Sequence, residues 1–244
     1  MKSSILKNIS LACLAAVLFA GVSPAQNKFV AGAGASMLFP IGTLHDRYNP
    51  AAGGSFYFGK QVSENWTWVG KAEYYKFTEL NKDKLSIKRI VDYTRNGTEY
   101  SKDFVIPLDK IDMELEVAGA SVNAKANLYD ADIFRSNLDM GFGMYRWKNY
   151  IAPYKDTMYV TVPGMENRLV AEVLNVPGNT QVDWSGGLNL GLEAEVRLFE
   201  PVWFSAGASY KVVIGELWPL LSLDLENVSA FQMFEIKAGI KAEF

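Results

Sequence analysis

The sequence predicts an all-β protein: a single eight-stranded antiparallel barrel that crosses a membrane, with short turns at one end and long loops at the other. Three observations lead there. Segment after segment alternates apolar and polar side chains, the period-2 signature of a strand whose two faces meet different surroundings. The connections between these segments alternate between tight and long. The last segment puts Phe234, Ile236, Ala238, Ile240, Ala242 and Phe244 on one side, with Glu235, Lys237, Gly239, Lys241 and Glu243 on the other.

The first strand runs from Lys28 to Phe39 and stops at Pro40 and Gly42. Ala52 to Val62 is the second, and Ser63-Glu64-Asn65 turns into the third, Trp66 to Phe77. The fourth, Met113 to Leu128, changes phase near Ala118-Gly119. Leu115 and Val117 occupy odd positions, whereas Val122, Ala124, Ala126 and Leu128 occupy even ones. A β-bulge would reconcile the two, as would an upper end standing clear of the membrane. Phe134 to Trp147 is the fifth strand. Trp184 to Leu198 is the sixth, with Leu188, Leu190, Leu192, Ala194, Val196 and Leu198 on one face. Val202 to Val213 is the seventh, after a turn at Glu200-Pro201, and the eighth ends at Phe244.

Connections at 63–65, 129–133 and 199–201 are tight, whereas those at 40–51, 78–112, 148–183 and 214–227 are long. Two of these exceed the usual loop of a compact domain, and Pro163-Gly164 is flanked on both sides by strand-like patches that extend the barrel as a hairpin. An apolar face toward lipid needs no protein core behind it. It does need every backbone group paired, which only closure of the last strand on the first supplies.

Residues 1–25 read as a cleaved secretory signal. Lys2 and Lys7 precede the apolar run Leu11 to Val22, and small residues flank a cleavage point before Gln26. Residues 26–244 form the barrel. The one cysteine, Cys13, falls in the signal, leaving no thiol for a disulfide, nucleophile or metal site. A net charge of −3 argues against nucleic acid as a partner.

Parity assigns the lumen. With the apolar face to lipid, Lys71, Glu73, Lys125, Asp139, Glu193, Glu195, Arg197, Lys211, Glu235, Lys237, Lys241 and Glu243 turn inward, six cations against six anions. Eight strands leave room for little but side chains, so this balance predicts a salt-bridged plug rather than an open water column. An ion pathway or proton relay is the competing reading of the same residues. Aromatics near the strand ends (Trp66, Trp68, Trp203 and Phe244 below, Phe39, Trp147, Tyr150 and Trp184 above) resemble interfacial girdles, although Trp147 and Trp203 fall on the lumen parity.

Residues 32–77 pass from a Gly/Ala-rich strand through Pro40-x-Gly42 to a hairpin at Ser63-Glu64-Asn65-Trp66. With the signal, the loop asymmetry and the terminal Phe, the chain resembles the small eight-stranded outer-membrane β-barrels of the OmpA, OmpX and OmpW type. The resemblance implies residence in the Gram-negative outer membrane and outer-membrane lipid as surroundings. It also implies selection by the barrel assembly machinery through Phe234, Ile236, Ile240 and Phe244. Unlike full-length OmpA, no periplasmic domain is expected after the barrel. The expected function is a non-enzymatic, monomeric surface barrel without cofactor or metal, its long loops serving envelope structure or an unknown extracellular ligand. A narrow porin or OmpW-like transporter of small or apolar solutes is the alternative. A third reading uses His45, the only histidine, followed by Asp46, in a lipid-modifying site like that of the outer-membrane palmitoyltransferase.

Overall fold

The computed structural model describes residues 28–165, 167–220 and 223–244; the expected signal, 1–25, lies outside them. Eight strands close into a barrel: β1 (Phe29–Ile41), β2 (Ala51–Ser63), β3 (Trp66–Phe77), β6 (Met113–Asp130), β7 (Phe134–Ile151), β10 (Asn179–Phe199), β11 (Val202–Val213) and β12 (Phe231–Glu243). The remaining four form two hairpins, β4 (Ser86–Arg95) with β5 (Thr98–Pro107), and β8 (Tyr154–Val160) with β9 (Leu169–Val176). Around the barrel the order is β1-β12-β11-β10-β7-β6-β3-β2, every pair antiparallel. Strand β1 closes on β12 from Val30 opposite Glu243 to Ile41 opposite Gln232, so the cylinder has no open edge. No helix among the described residues is long and apolar enough to cross a membrane.

The outward row is the apolar one. Phe56, Phe58, Phe142, Leu188, Leu190, Leu192, Ile236 and Ile240 are all exposed on the outer surface. In water such a belt would be an aggregation surface; around a closed barrel it is a lipid-facing band. The band and the closed fold together mark a barrel that sits in a membrane. Two of the expected girdle aromatics are elsewhere: Trp147 and Trp203 point inward and are buried, since their parity belongs to the lumen.

Strands β6, β7 and β10 are longer than their alternation implied, at 18, 18 and 21 residues. Eighteen residues at about 3.3 Å each, tilted about 45°, rise about 40 Å, against a hydrocarbon core of about 30 Å. The excess stands outside the membrane and resolves the phase change in β6. The register of β3 on β6 runs unbroken from Trp66 opposite Ala126 to Phe77 opposite Leu115, so no bulge lies at Ala118-Gly119. Odd residues face inward throughout; only the surroundings change. Below, the inside is polar (Ser121, Asn123, Lys125) and the outside meets lipid. Above, the inside is apolar (Met113, Leu115, Val117) and Glu114 and Glu116 face water. The register shifts within the barrel are at Gln61/Ser63, Asn127/Tyr129 and Arg197/Phe199, beside the short turns.

Above the membrane the long connections are largely folded. In the β4–β5 hairpin, Asn96 (φ 51°) and Gly97 (φ 76°) occupy the two left-handed positions of a two-residue turn, and Tyr93 stacks on Tyr100 at 5.5 Å. The two hairpins share the apolar core of the upper barrel, with Ile87, Val91 and Ile106 from one and Met158, Leu174 and Val176 from the other. Arg89 of β4 is ion-paired to Glu172 of β9 and, at 2.5 Å, to Asp224. Together they form a head rather than a set of loose loops.

Candidate functional site

The lumen is the candidate site, and it is filled in two tiers. The lower tier is electrostatic and stands in three storeys. Uppermost, Lys71 meets Glu73 at 2.7 Å and Glu235 at 3.8 Å, while Lys211 meets the same two at 2.8 and 3.4 Å. Ser209 donates a further hydrogen bond to Glu235 at 3.0 Å. In the middle storey Lys237 bridges Asp139 (2.9 Å) and Glu193 (2.8 Å), Lys125 pairs with Glu193, and Asn123 donates to Asp139 at 2.9 Å. Lowest, Lys241 joins Glu195 to Glu243 (2.8 Å), and Arg135 joins Glu243 (2.5 Å) to Asp130 (2.9 Å).

Eleven of the twelve charges that parity turns inward therefore meet across the lumen. The twelfth, Arg197, leans to the rim and meets exposed Glu200 at 3.4 Å. Arg135 belongs to the network as well, though parity reasoning omitted it because it lies one residue inside the start of its strand. Desolvating an ion costs several kcal/mol. That cost is tolerable here because carboxylates and ammonium groups alternate along the stack. Trp203 seals the lowest storey, with Arg135 and Arg197 over its ring at 4.2 and 4.8 Å.

Close packing depends on glycine, as where Tyr57 crosses Gly32. A Cβ on Gly32 would come within 2.6 Å of the Tyr57 hydroxyl, so only glycine lets that ring lie across the lumen. Lys125 then stands over the ring at 4.5 Å.

The upper tier is apolar. Leu38, Tyr75, Phe77, Leu115, Val117, Trp147, Phe231 and Met233 fill the barrel above the charges, all 2% exposed or less. Trp147 packs edge-on against Phe231 at 5.3 Å and donates its indole N–H to Ser185 at 2.8 Å. The cap comes from the short helical turn Gly42–Leu44 and the segment before β12, through Leu44, Tyr48, Leu217, Leu223 and Val228. Arg47 ties these two pieces together. Buried, it donates through Nη2 to the carbonyl oxygens of Glu226 (2.5 Å) and Trp218 (3.4 Å). Burial pulls its guanidinium below the ordinary arginine value and pushes the neighbouring Tyr48 phenol above its own. The Tyr48 hydroxyl donates to Asn149 Oδ1 at 2.9 Å. Neither the cap nor the tier beneath it was legible from charge parity.

The histidine lead is placed differently. His45 lies on the surface at the end of the helical turn, where its backbone N–H donates to the Gly42 carbonyl at 2.9 Å and its own carbonyl accepts from Asn81 Nδ2 at 2.9 Å. Phe234, Ile236, Ile240 and Phe244 all face outward along β12. Phe244 exchanges backbone hydrogen bonds with Phe29, at 2.7 and 2.9 Å, and stacks on its ring at 6.4 Å.

No protein-family model matches the sequence, and no curated protein matches it. Solved structures do. The chain is similar to a major outer membrane protein from Thermus thermophilus, with a TM-score of 0.51 and 11% identity over 89% of this chain and 99% of that one. It also aligns with the Neisserial surface protein A (TM-score 0.48, 12% identity, 88% of this chain and 97% of that one). A third match is the attachment invasion locus protein of Yersinia pestis (TM-score 0.43, 10% identity, 89% and 99%). What the chain shares with the Thermus protein is the fold, a closed β-barrel.

Proposed function

We propose that this chain is a closed, non-enzymatic barrel of the outer membrane whose working part is its extracellular head. The observation that carries the reading is a folded, cored pair of hairpins standing over a lumen blocked by an apolar tier and a stack of paired charges. A pore needs a continuous water path, and neither a close-packed apolar tier nor a stack of paired charges offers one. A lipid-modifying enzyme needs a nucleophile or base held by partners, and His45 has no side-chain hydrogen bond among the described residues. The head offers exposed Ile90, Tyr100, Val105, Tyr159, Val170 and Val173 to an extracellular partner. Assembly then rests on the outward row of β12 ending at Phe244, presented to the barrel assembly machinery. The eight barrel strands close on one another without a second copy, and the reading takes the barrel as a monomer.

The test compares three variants for surface adhesion, envelope integrity and lipid A acylation: replacement of 86–107 by a short linker, His45→Ala, and removal of Phe244. Loss of adhesion in the first and of assembly in the third supports the reading. Loss of acylation in His45→Ala alone would overturn it.

A further inference from the structure

Beside the lowest storey, toward the short periplasmic turns, lies a small vestibule of about 30 Å³. Its cations are all engaged: Lys125 with Glu193, Arg135 with Glu243 and Asp130, and Lys241 with Glu195 and Glu243. The groups left over are of the opposite kind. Three buried oxygens on its wall have no protein partner: Glu195 Oε1, Asn127 Oδ1 and the Tyr57 hydroxyl. The first two only accept hydrogen bonds, and the third can accept as well as donate. Glu195 is 1% exposed, with its other oxygen held by Lys241, so half of a buried carboxylate in the cavity lining is left unpaired. In the lowest storey three carboxylates (Glu195, Glu243, Asp130) share two cations (Lys241, Arg135), one positive charge short of balance. Arg197, nearby, stacks on Trp203 and pairs outward with Glu200, and its buried Nε also lacks a partner.

We propose that this vestibule binds a small primary ammonium ion, its N–H groups donating to Glu195 Oε1, Asn127 Oδ1 and Tyr57. An anion finds no unpaired cation lining the cavity. Water donates to the same atoms but leaves the missing charge uncorrected. No group of three His, Cys, Asp or Glu that could hold a metal ion occurs among the described residues, and sodium, which takes the same oxygens without donating to them, is separated from ammonium by the test. The upper tier closes the other end, so the ion enters and leaves on the periplasmic side. Its source is a free amine in the periplasm or the ethanolamine headgroup of an inner-leaflet lipid, since both carry the same ammonium group.

The test titrates methylammonium into the full chain in phosphatidylglycerol nanodiscs and follows the Trp203 indole and Asn127 amide by NMR. A saturable shift with Kd on the order of 1 mM is expected, with no response to tetramethylammonium, which has no N–H. Glu195→Gln weakens binding about tenfold or more, the loss of a charge-assisted hydrogen bond. Tyr57→Phe removes a single hydroxyl, weakens it about threefold, and keeps the test alive if Glu195→Gln fails to fold. Including ethanolamine-headed lipid separates the sources: a raised apparent Kd for methylammonium identifies the headgroup as occupant, and an unchanged one identifies the free amine. The proposal is overturned by an absence of saturation, by equal responses to sodium or tetramethylammonium, or by both variants binding like the parent chain.

Discussion

Lys211 is 1% exposed and stands between Glu73 and Glu235, with Lys71 the only other cation of its storey. Lys211→Met leaves two buried carboxylates sharing one ammonium. Its expected cost is about 3–5 kcal/mol, the usual penalty for removing one partner of a buried ion pair. Denaturant unfolding in detergent reads this directly, and a loss below about 1 kcal/mol would contradict the alternating stack. In the head, the Tyr154 phenol is pushed up to about 12, first by burial and then because its hydroxyl donates to Asp156 at 3.1 Å. A raised value favours the neutral phenol in the fold. That contribution is complete below the ordinary tyrosine value of about 10 and is lost as pH climbs through about 12. NMR of ¹³Cζ-labelled tyrosine should show one resonance titrating well above the others, and Asp156→Asn should move it part of the way back. At this scale legibility followed periodicity. Lumen charges inside a strand could be assigned from parity alone. Arg47 could not, because its environment is made by two loops that meet only in the folded chain.

The eight barrel strands were legible because lipid imposes period 2 on their outer face and tight turns fix their ends. Their upper extensions were not, because above the bilayer the polarity of the two faces exchanges and a fixed pattern reads as a slip, as in β6. The β4–β5 hairpin did carry a signal, the Asn96-Gly97 pair, which the alternation-based reading passed over because β4 and β5 lack a clean apolar face. The hairpin is also separable from the barrel. Leu108 donates to the Leu85 carbonyl at 3.0 Å, so the ends of 86–107 already lie side by side and a short linker can close the gap. Replacing 86–107 should leave heat-modifiable mobility on gels intact, since no barrel strand is touched. It should also raise protease cleavage within 154–176, because Met158 and Leu174 lose the apolar cover of Ile87, Val91 and Ile106. Unchanged cleavage would mean that the two hairpins fold independently.

At the scale of the molecule, the two tiers are seals in series, and each excludes water for a different reason. The charged tier is polar but its ions satisfy one another; the apolar tier gives water nothing to bond. A single substitution therefore weakens one seal and leaves the other. Planar-bilayer recordings of the parent chain should show no large, steady conductance. Lys211→Met should show none either, despite its loss of stability, because Tyr75, Phe77, Trp147 and Phe231 still fill the barrel above it. Phe231→Ala alone opens space beside Trp147 but leaves the three storeys below it paired. Only the combination interrupts both tiers, so conductance should appear in the double variant and in neither single variant. A steady channel in the unmodified chain would instead make the charged stack a conduction path, and the narrow-porin reading would replace the closed barrel. The two-seal arrangement fits a protein whose fold is spent on holding a head outside the cell, with the lumen serving as its core.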